Sequence, residues 1–155
     1  TSLWPSAEAV LAQGGDVSEP RGRLAASGLL RDARAQHYEL VLEGSAGPMA
    51  RCELVRLSSI ELVARRSSAF YEHVRQLWDE LSRDVGLVAL RVGRRVSADG
   101  EQAVVVSAWE TGAMLDGATS GGFVGGAEMG TFYASPPVIE HFTALSLDPD
   151  PERRA

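Results

Sequence analysis

Three histidines are the side chains of this chain best suited to move a proton near neutral pH. His141 lies in the last apolar segment and could act as a general base on a phenolic or enolic substrate, forming an electron-rich anion that reacts with oxygen. It could also ligate haem. His73 stands beside the apolar stripe of a predicted helix. Both have structural alternatives, because His37 repeats the position of His141 and His73 can be a solvated flank residue.

Aromatic and cationic side chains could complete a ligand site around these histidines. Trp109 could stack on a planar ligand and exclude water from it, or simply fill the core at the end of a strand. Arg91 could steer an acidic or carbonyl-bearing ligand if its side chain points inward. Tyr71 and Trp78 lie near His73 on the same predicted helix. We therefore predict catalytic roles for His141 and His73, and ligand-binding roles for Trp109, Arg91, Tyr71 and Trp78.

Composition excludes several other chemistries. All 15 basic residues are arginine, so Schiff-base chemistry and a phosphate-loop lysine are excluded. The single cysteine, Cys52, excludes an internal disulfide and a cysteine metal cluster. A net charge of -6 without a basic patch argues against nucleic-acid binding. No run approaches the roughly 18 apolar residues of a membrane span, and we expect a cytoplasmic protein without metal or membrane partner.

Residues 49 to 147 carry a strand, helix, strand, strand, helix, strand pattern. The first strand is predicted over Ala50 to Ser58, with Cys52 and Leu54 on one face. A helix follows, because apolar residues recur at helical spacing; its start is capped by Ser67 or Ser68, and Gly86 helps to end it. Its stripe is Phe70, Val74, Leu77, Trp78 and Leu81. On its solvent side, Arg75 and Asp79 are four residues apart and predict an ion pair.

The second half of this pattern is a hairpin, a short helix and a strand. Residues 87 to 92 and 103 to 109 are the hairpin strands, and Asp99-Gly100 predicts the turn. The helix starts at Thr111 and carries Met114 and Leu115 inward. Residues 117 to 126 are glycine-rich and predict a loop, which could also cover a pocket. The last strand runs from Val138 to Leu147, and residues 148 to 155 form a frayed tail.

The beginning of the chain repeats its end. Residues 1 to 10 align with 106 to 115, which matches Trp4 to Trp109, and His37 aligns with His141. Residues 1 to 46 are therefore predicted to be the back half of a second copy, with a helix from Ser6 to Gln13, another over 24 to 30 and a strand from His37 to Glu43. Residues 43 to 48 form the linker. A half unit cannot build its own core, so it must add to the complete unit or to another chain.

Three segments carry a resemblance to a known family. The Trp109-Glu110-Thr111 motif, the first helix with Phe70, Val74 and Leu77, and the closing segment from Pro136 to Phe142 are similar to those of antibiotic-biosynthesis-monooxygenase-like domains. The resemblance covers residues 49 to 147 and implies an α+β fold, a ferredoxin-like antiparallel sheet with helices on one face. It also implies a dimeric α/β barrel, formed by a homodimer or by a pseudo-dimer within one chain.

The resemblance also implies a function. It predicts a small hydrophobic or aromatic ligand and oxygenation that needs no cofactor. The haem degraders of the family use an Asn, a Trp and a His, and the chain has no asparagine, which argues against their mechanism. A non-catalytic ligand-binding or dimerisation module of the same fold remains the alternative, since fold does not determine function.

Overall fold

The computed structural model describes residues 2–4, 36–48, 51–84, 86–122, 124 and 126–143. In chain order its elements are β1 (Ser2–Trp4), β2 (His37–Ser45), β3 (Leu54–Glu61), α1 (Ser67–Asp84), β4 (Leu87–Ser97), β5 (Gly100–Trp109), α2 (Gly112–Ser120), α3 (Ala127–Gly130) and β6 (Val138–Thr143). The strands form one sheet in the order β1-β2-β4-β5-β3-β6.

The four strands β4-β5-β3-β6 are antiparallel and confirm the predicted ferredoxin-like fold. All three helices contribute to core clusters on one face of the sheet, which we call the inner face. Strand β2 adds to the outer edge of β4 in antiparallel orientation, and β1 pairs in parallel with β2. The two helices predicted between them lie outside the described residues, so the half-repeat stays a prediction.

Helix α1 has the predicted apolar stripe, and its residues Phe70, Val74 and Leu81 are buried. The helix ends at Asp84, two residues before Gly86, whose φ of 74° favours glycine. The predicted ion pair of Arg75 with Asp79 is wrong. Arg75 instead reaches the preceding turn, where its Nη1 lies 3.2 Å from Oε2 of Glu72.

The β4–β5 hairpin confirms the predicted turn. Ser97 pairs with Gly100 across the two residues Ala98 and Asp99, and Gly100 has a φ of 134° that side chains rarely adopt. Thr111 then caps α2, because its hydroxyl oxygen accepts a hydrogen bond from the Met114 backbone N–H at 3.3 Å.

Several predicted boundaries and burials were wrong. Strand β3 starts at Leu54, so residues 51 to 53 of the predicted strand lie outside it. The Arg51 N–H donates instead to the Pro48 carbonyl oxygen at 3.0 Å. Residues 117 to 120 belong to α2 rather than to the glycine-rich loop, and α3 follows it. Met114 is 37% exposed, whereas its neighbour Leu115 is buried as predicted.

Two further boundaries concern strands β2 and β6. Strand β2 continues to Ser45, so residues 43 to 45, the first half of the predicted linker, belong to the sheet. Strand β6 is described up to Thr143, and the predicted continuation to Leu147 lies outside the described residues.

Glu101 connects the start of α1 to the β4–β5 hairpin. Its carboxylate accepts hydrogen bonds from the Ser67 hydroxyl at 2.6 Å, the Tyr71 phenol at 3.0 Å and Nε of Arg94 at 2.9 Å. Ser67, a predicted cap residue, thus uses its hydroxyl group to donate a hydrogen bond to Glu101. Burial alone would raise the pKa of Glu101, but these hydrogen bonds and the Arg94 cation outweigh burial, so its pKa lies below the ordinary 4.5.

We expect Glu101→Gln to lower the free energy of unfolding at pH 7 by about 1–2 kcal/mol, because three bonds to a charged acceptor are weakened. The depressed folded-state pKa means that Glu101 contributes stability above its unfolded pKa and loses it as the pH falls through the folded pKa. The difference from wild type should therefore shrink below about pH 4.5, as urea unfolding at pH 7 and pH 3.5 can show. Glu72→Gln removes an exposed carboxylate of α1 and should change little at either pH. An equal loss in both variants would contradict this role of Glu101.

Candidate ligand cavity

A cavity of about 70 Å³ lies between the inner face of the sheet and α1. Its polar groups come from Arg56, Ser58, Ser107 and Tyr133. Its apolar walls are Ile60, Val74, Leu77, Trp78, Leu81, Leu87, Leu90, Val105, Trp109, Val124 and Met129. The cavity can hold several waters or a small ligand, since one water needs only about 10–15 Å³.

Strand register brings the polar groups together. Arg56 on β3 pairs directly with Ser107 on β5, and Ser58 pairs with Val105. Directly paired residues project to the same face, as do alternate residues along one strand. Arg56, Ser58 and Ser107 therefore share the inner face beneath α1, although the surrounding strands are mostly apolar.

Arg56 is a buried cation. It is 8% exposed, and its Nε has no hydrogen-bond partner. Burial lowers the pKa of its guanidinium, and the nearby Tyr133 acts in the opposite sense. Burial, opposed by the nearby Arg56, raises the pKa of the Tyr133 phenol above its ordinary 10.0. A phenol is neutral at pH 7 even at its ordinary pKa, so this group can donate a hydrogen bond. Arginine keeps its charge at neutral pH, and the cavity therefore contains a positive charge.

Trp109 is both a core residue and a wall of the cavity. It is 1% exposed and packs with Leu81, Leu87 and Leu115. Its indole Nε1–H donates to the Ser107 hydroxyl oxygen at 2.9 Å. Because that oxygen accepts this bond, the Ser107 hydroxyl hydrogen is left to donate elsewhere.

Trp78 forms the wall on the side of β2. A Cβ atom placed on Gly44 would lie 2.6 Å from Cζ2 of the Trp78 ring, which is shorter than any ordinary contact. Only glycine at position 44 lets β2 approach α1 this closely. The strand that the N-terminal segment adds to the sheet therefore helps to position a cavity wall.

Two of the six predicted site residues, Trp109 and Trp78, line the cavity. Tyr71 points instead to Glu101, and burial together with that hydrogen bond raises the pKa of its phenol. His73 lies beside α3, with Nδ1 3.8 Å from a Glu128 carboxylate oxygen.

Arg91 and His141 lie elsewhere on the sheet. The inward orientation on which the predicted role of Arg91 depended is not found: Arg91 projects to the outer face, where its Nη2 lies 2.8 Å from Oε1 of Glu43. His141 is exposed on β6, yet it pairs directly with Arg56. It therefore stands on the inner face, one strand outward from Arg56. The functional roles of all six residues stay predictions.

The predicted site residues did not include the polar residues of the cavity, although the alternation of side chains along β3 indicates two of them, Arg56 and Ser58. Alternation in β3 continues from Leu54 to Arg56 and Ser58, so these two polar residues fall on the face already assigned to Leu54. Nothing local marks Tyr133, which reaches the sheet through an isolated bridge to Leu62.

The described part of the chain has no helix that is long and apolar enough to cross a membrane. Within the same residues, no group of three or more His, Cys, Asp or Glu side chains is arranged to hold a metal ion.

Comparison with solved structures supports the fold. An anthrone oxidase-like protein matches with a TM-score of 0.64 and 13% identity, over 92% of this chain and 69% of that protein. The chain has the antibiotic-biosynthesis-monooxygenase-like fold. No family model matches the sequence, and a search of curated proteins finds no relative.

Two further solved structures match less closely. A protein of Bordetella bronchiseptica assigned as an antibiotic biosynthesis monooxygenase is 23% identical, with a TM-score of 0.48 over 61% of this chain and 99% of that one. A monooxygenase from the gene ActVA-Orf6 of Streptomyces coelicolor, solved with the ligand nanaomycin D, is 14% identical, with a TM-score of 0.43 over 65% and 95%. At 13% identity, the match to the anthrone oxidase-like protein supports the fold alone and leaves the chemistry to the residues of the cavity.

We expect Gly44→Ala to destabilise the protein by about 1–3 kcal/mol, because the new methyl group overlaps the Trp78 ring and must displace it. Urea unfolding gives the free energy, and tryptophan fluorescence of the native state should shift as the ring moves. Gly117→Ala is the matched control. It lies in α2 with no atom within 4 Å of the added carbon, so alanine should stabilise the helix by about 0.5–1 kcal/mol. Similar effects of both substitutions would show that Gly44 is not needed for the Trp78 contact.

Proposed function

We propose that the chain binds a small planar hydrophobic ligand in the cavity beneath α1, and that it oxidises such a ligand without a cofactor. The observation that carries this proposal is an apolar cavity whose floor holds one buried cation, Arg56, without a partner for its Nε. Flat walls from Trp78 and Trp109 suit a planar ring. The likeness to an anthrone oxidase-like protein and the resemblance of the Trp109-Glu110-Thr111 motif support the same class of ligand.

The proposed reaction converts a CH₂ group activated by an aromatic ring into C=O. One atom of O₂ enters the product and the other leaves as water, so the substrate itself supplies all four electrons and no cofactor has to supply any. The reaction starts when a phenolic or enolic proton leaves the substrate. A positive charge held in a water-poor cavity stabilises the resulting anion, and Arg56 is placed for that task.

Among the predicted bases, we favour His141. Its pairing with Arg56 puts it next to the site where the substrate anion would form, and imidazole accepts protons near neutral pH. His73 is proposed only to support α3, whose Met129 forms part of the cavity wall, through its approach to Glu128. Trp109 and Trp78 would exclude water, whereas Arg91 and Tyr71 would stabilise the surrounding structure through Glu43 and Glu101.

Oxygen consumption with hydroquinone-like compounds of one ring tests catalysis. We expect His141→Ala to lower any turnover by about 10²–10⁴-fold, the usual contribution of a general base. His37→Ala is the matched control, because His37 is an exposed histidine at the repeated position and should leave turnover unchanged. Unchanged turnover in His141→Ala would rule out this base.

A non-catalytic module that dimerises is the second candidate. Val138 and Phe142 are 62% and 50% exposed, and their pairing with Ser59 and Val55 puts both on the outer face of the sheet. Exposed apolar side chains on one sheet face are typical of an interaction surface. In the barrel that the resemblance implies, the occupant is the sheet of a second copy.

We expect Phe142→Glu to weaken self-association at least tenfold, since the new charge would be buried against the second copy. Analytical ultracentrifugation over a concentration series measures this. Ile139→Glu is the control on the same strand, because Ile139 pairs with Ser58 and faces the inner side. A protein that is monomeric at every concentration, or an equal effect of the two variants, would contradict dimerisation through the outer face.

A further inference from the structure

The polar groups of the cavity are nearly all placed to donate hydrogen bonds. Arg56 can only donate, the Ser107 oxygen already accepts from Trp109, and the phenol of Tyr133 has a hydroxyl hydrogen to donate. The described lining residues include no carboxylate and no imidazole. A site with several donors and no charged acceptor is complementary to an anion.

Arg56 also differs in its pairing from four arginines at the surface. Each of these has a glutamate partner within 4.0 Å: Arg51, Arg75, Arg91 and Arg94. The buried Arg56 has no such partner among the described residues, although burial is where an unpaired charge costs most. The missing counter-charge is therefore best supplied by the ligand.

We propose that the ligand of this cavity is a small planar monocarboxylate with at most one ring. This inference rests on the proposed function, because it concerns the same cavity, and it adds the charge and the size of the ligand. The guanidinium presents two parallel N–H groups along its Nε edge, and a carboxylate accepts both at once. The second lone pairs of its two oxygens can accept from the Ser107 and Ser58 hydroxyls, which share the same sheet face.

A phenol or an amide fits these donors less well. A phenol offers one oxygen to a guanidinium edge with two donors, and a neutral amide leaves the buried cation without a counter-charge. The size limit follows from the volume of about 70 Å³, which is well below the roughly 300 Å³ at which pockets for drug-sized ligands begin. One ring with a carboxylate is therefore the upper limit for the cavity in this conformation.

Binding of benzoate, benzamide and benzyl alcohol to the whole chain tests the charge of the ligand. These probes have one ring and similar sizes, but only benzoate is an anion at pH 7. We expect benzoate to bind at least 100-fold more tightly than either neutral probe in calorimetric titrations. Arg56→Gln should remove this preference and leave any weak benzamide binding intact. Arg75→Gln, which removes an exposed arginine of α1, should leave benzoate binding unchanged.

Other outcomes separate the inference from the proposed function. Equal binding of benzamide and benzoate, or a preference for benzoate that persists in Arg56→Gln, would overturn the proposal that the ligand is a carboxylate. The proposed function, binding of a planar ligand, would not be affected by either result. Inorganic phosphate that competes equally with benzoate would show a general anion site and overturn the planar monocarboxylate, and equal binding of 2-naphthoate would overturn the one-ring limit. If none of the planar probes binds, the proposed function fails together with the inference.

Thermal unfolding and circular dichroism check that Arg56→Gln is folded, and Arg56→Met provides a second variant that keeps the length and apolar packing of the side chain.

Discussion

Helix α1 lies across β4 and β2, and its apolar stripe packs against the inner face of the sheet. Phe70, Val74 and Leu81 lose nearly all their contact with water there, and the hydrophobic free energy of such residues is about 1.5–3 kcal/mol each. Because α1 covers β4 and β2, its packing on the sheet both shields the core residues from water and encloses the cavity beneath the helix. Glu101 orients the first turn of α1, and Gly44 lets β2 reach Trp78 near its other end. Changes in the angle of α1 therefore alter both stability and the shape of the cavity.

The cavity contains buried polar side chains at positions where an ideal core would contain only apolar ones. An apolar side chain in place of Arg56 would fill the space without a desolvation cost, and replacing buried ions in this way is often neutral or stabilising. Arg56 together with Ser58 and Ser107 instead leaves a polar strip inside a layer of valine, leucine and isoleucine. A buried cation whose Nε has no internal partner costs stability, and such a group is typical of a binding site. The argument for function therefore depends on these residues more than on the fold.

The fold itself is shared with an anthrone oxidase-like protein at 13% identity, which is too low to transfer roles residue by residue. The histidines illustrate this point. His141 and His73 are the side chains most readily assigned to proton transfer, yet His73 stands against Glu128 and His141 is exposed at the sheet edge. What relates His141 to the cavity is its strand register with Arg56. The N-terminal strands β1 and β2 extend this same sheet beyond β4.

Apart from the short helix α3, the order of elements from β3 to β6 was determined by the sequence alone, since local patterns carry it: helical spacing in α1, the Asp99-Gly100 turn and the Thr111 cap. Trp109 and Trp78 could also be selected, because large aromatic residues next to apolar runs are readily recognised. The cavity was decided only by tertiary structure. Arg56, Ser107 and Tyr133 are far apart in the chain, and they meet because strand pairing and a single bridge bring three segments to one face. Register is a property of two strands together, so no single segment could show that a buried cation would lie beneath α1.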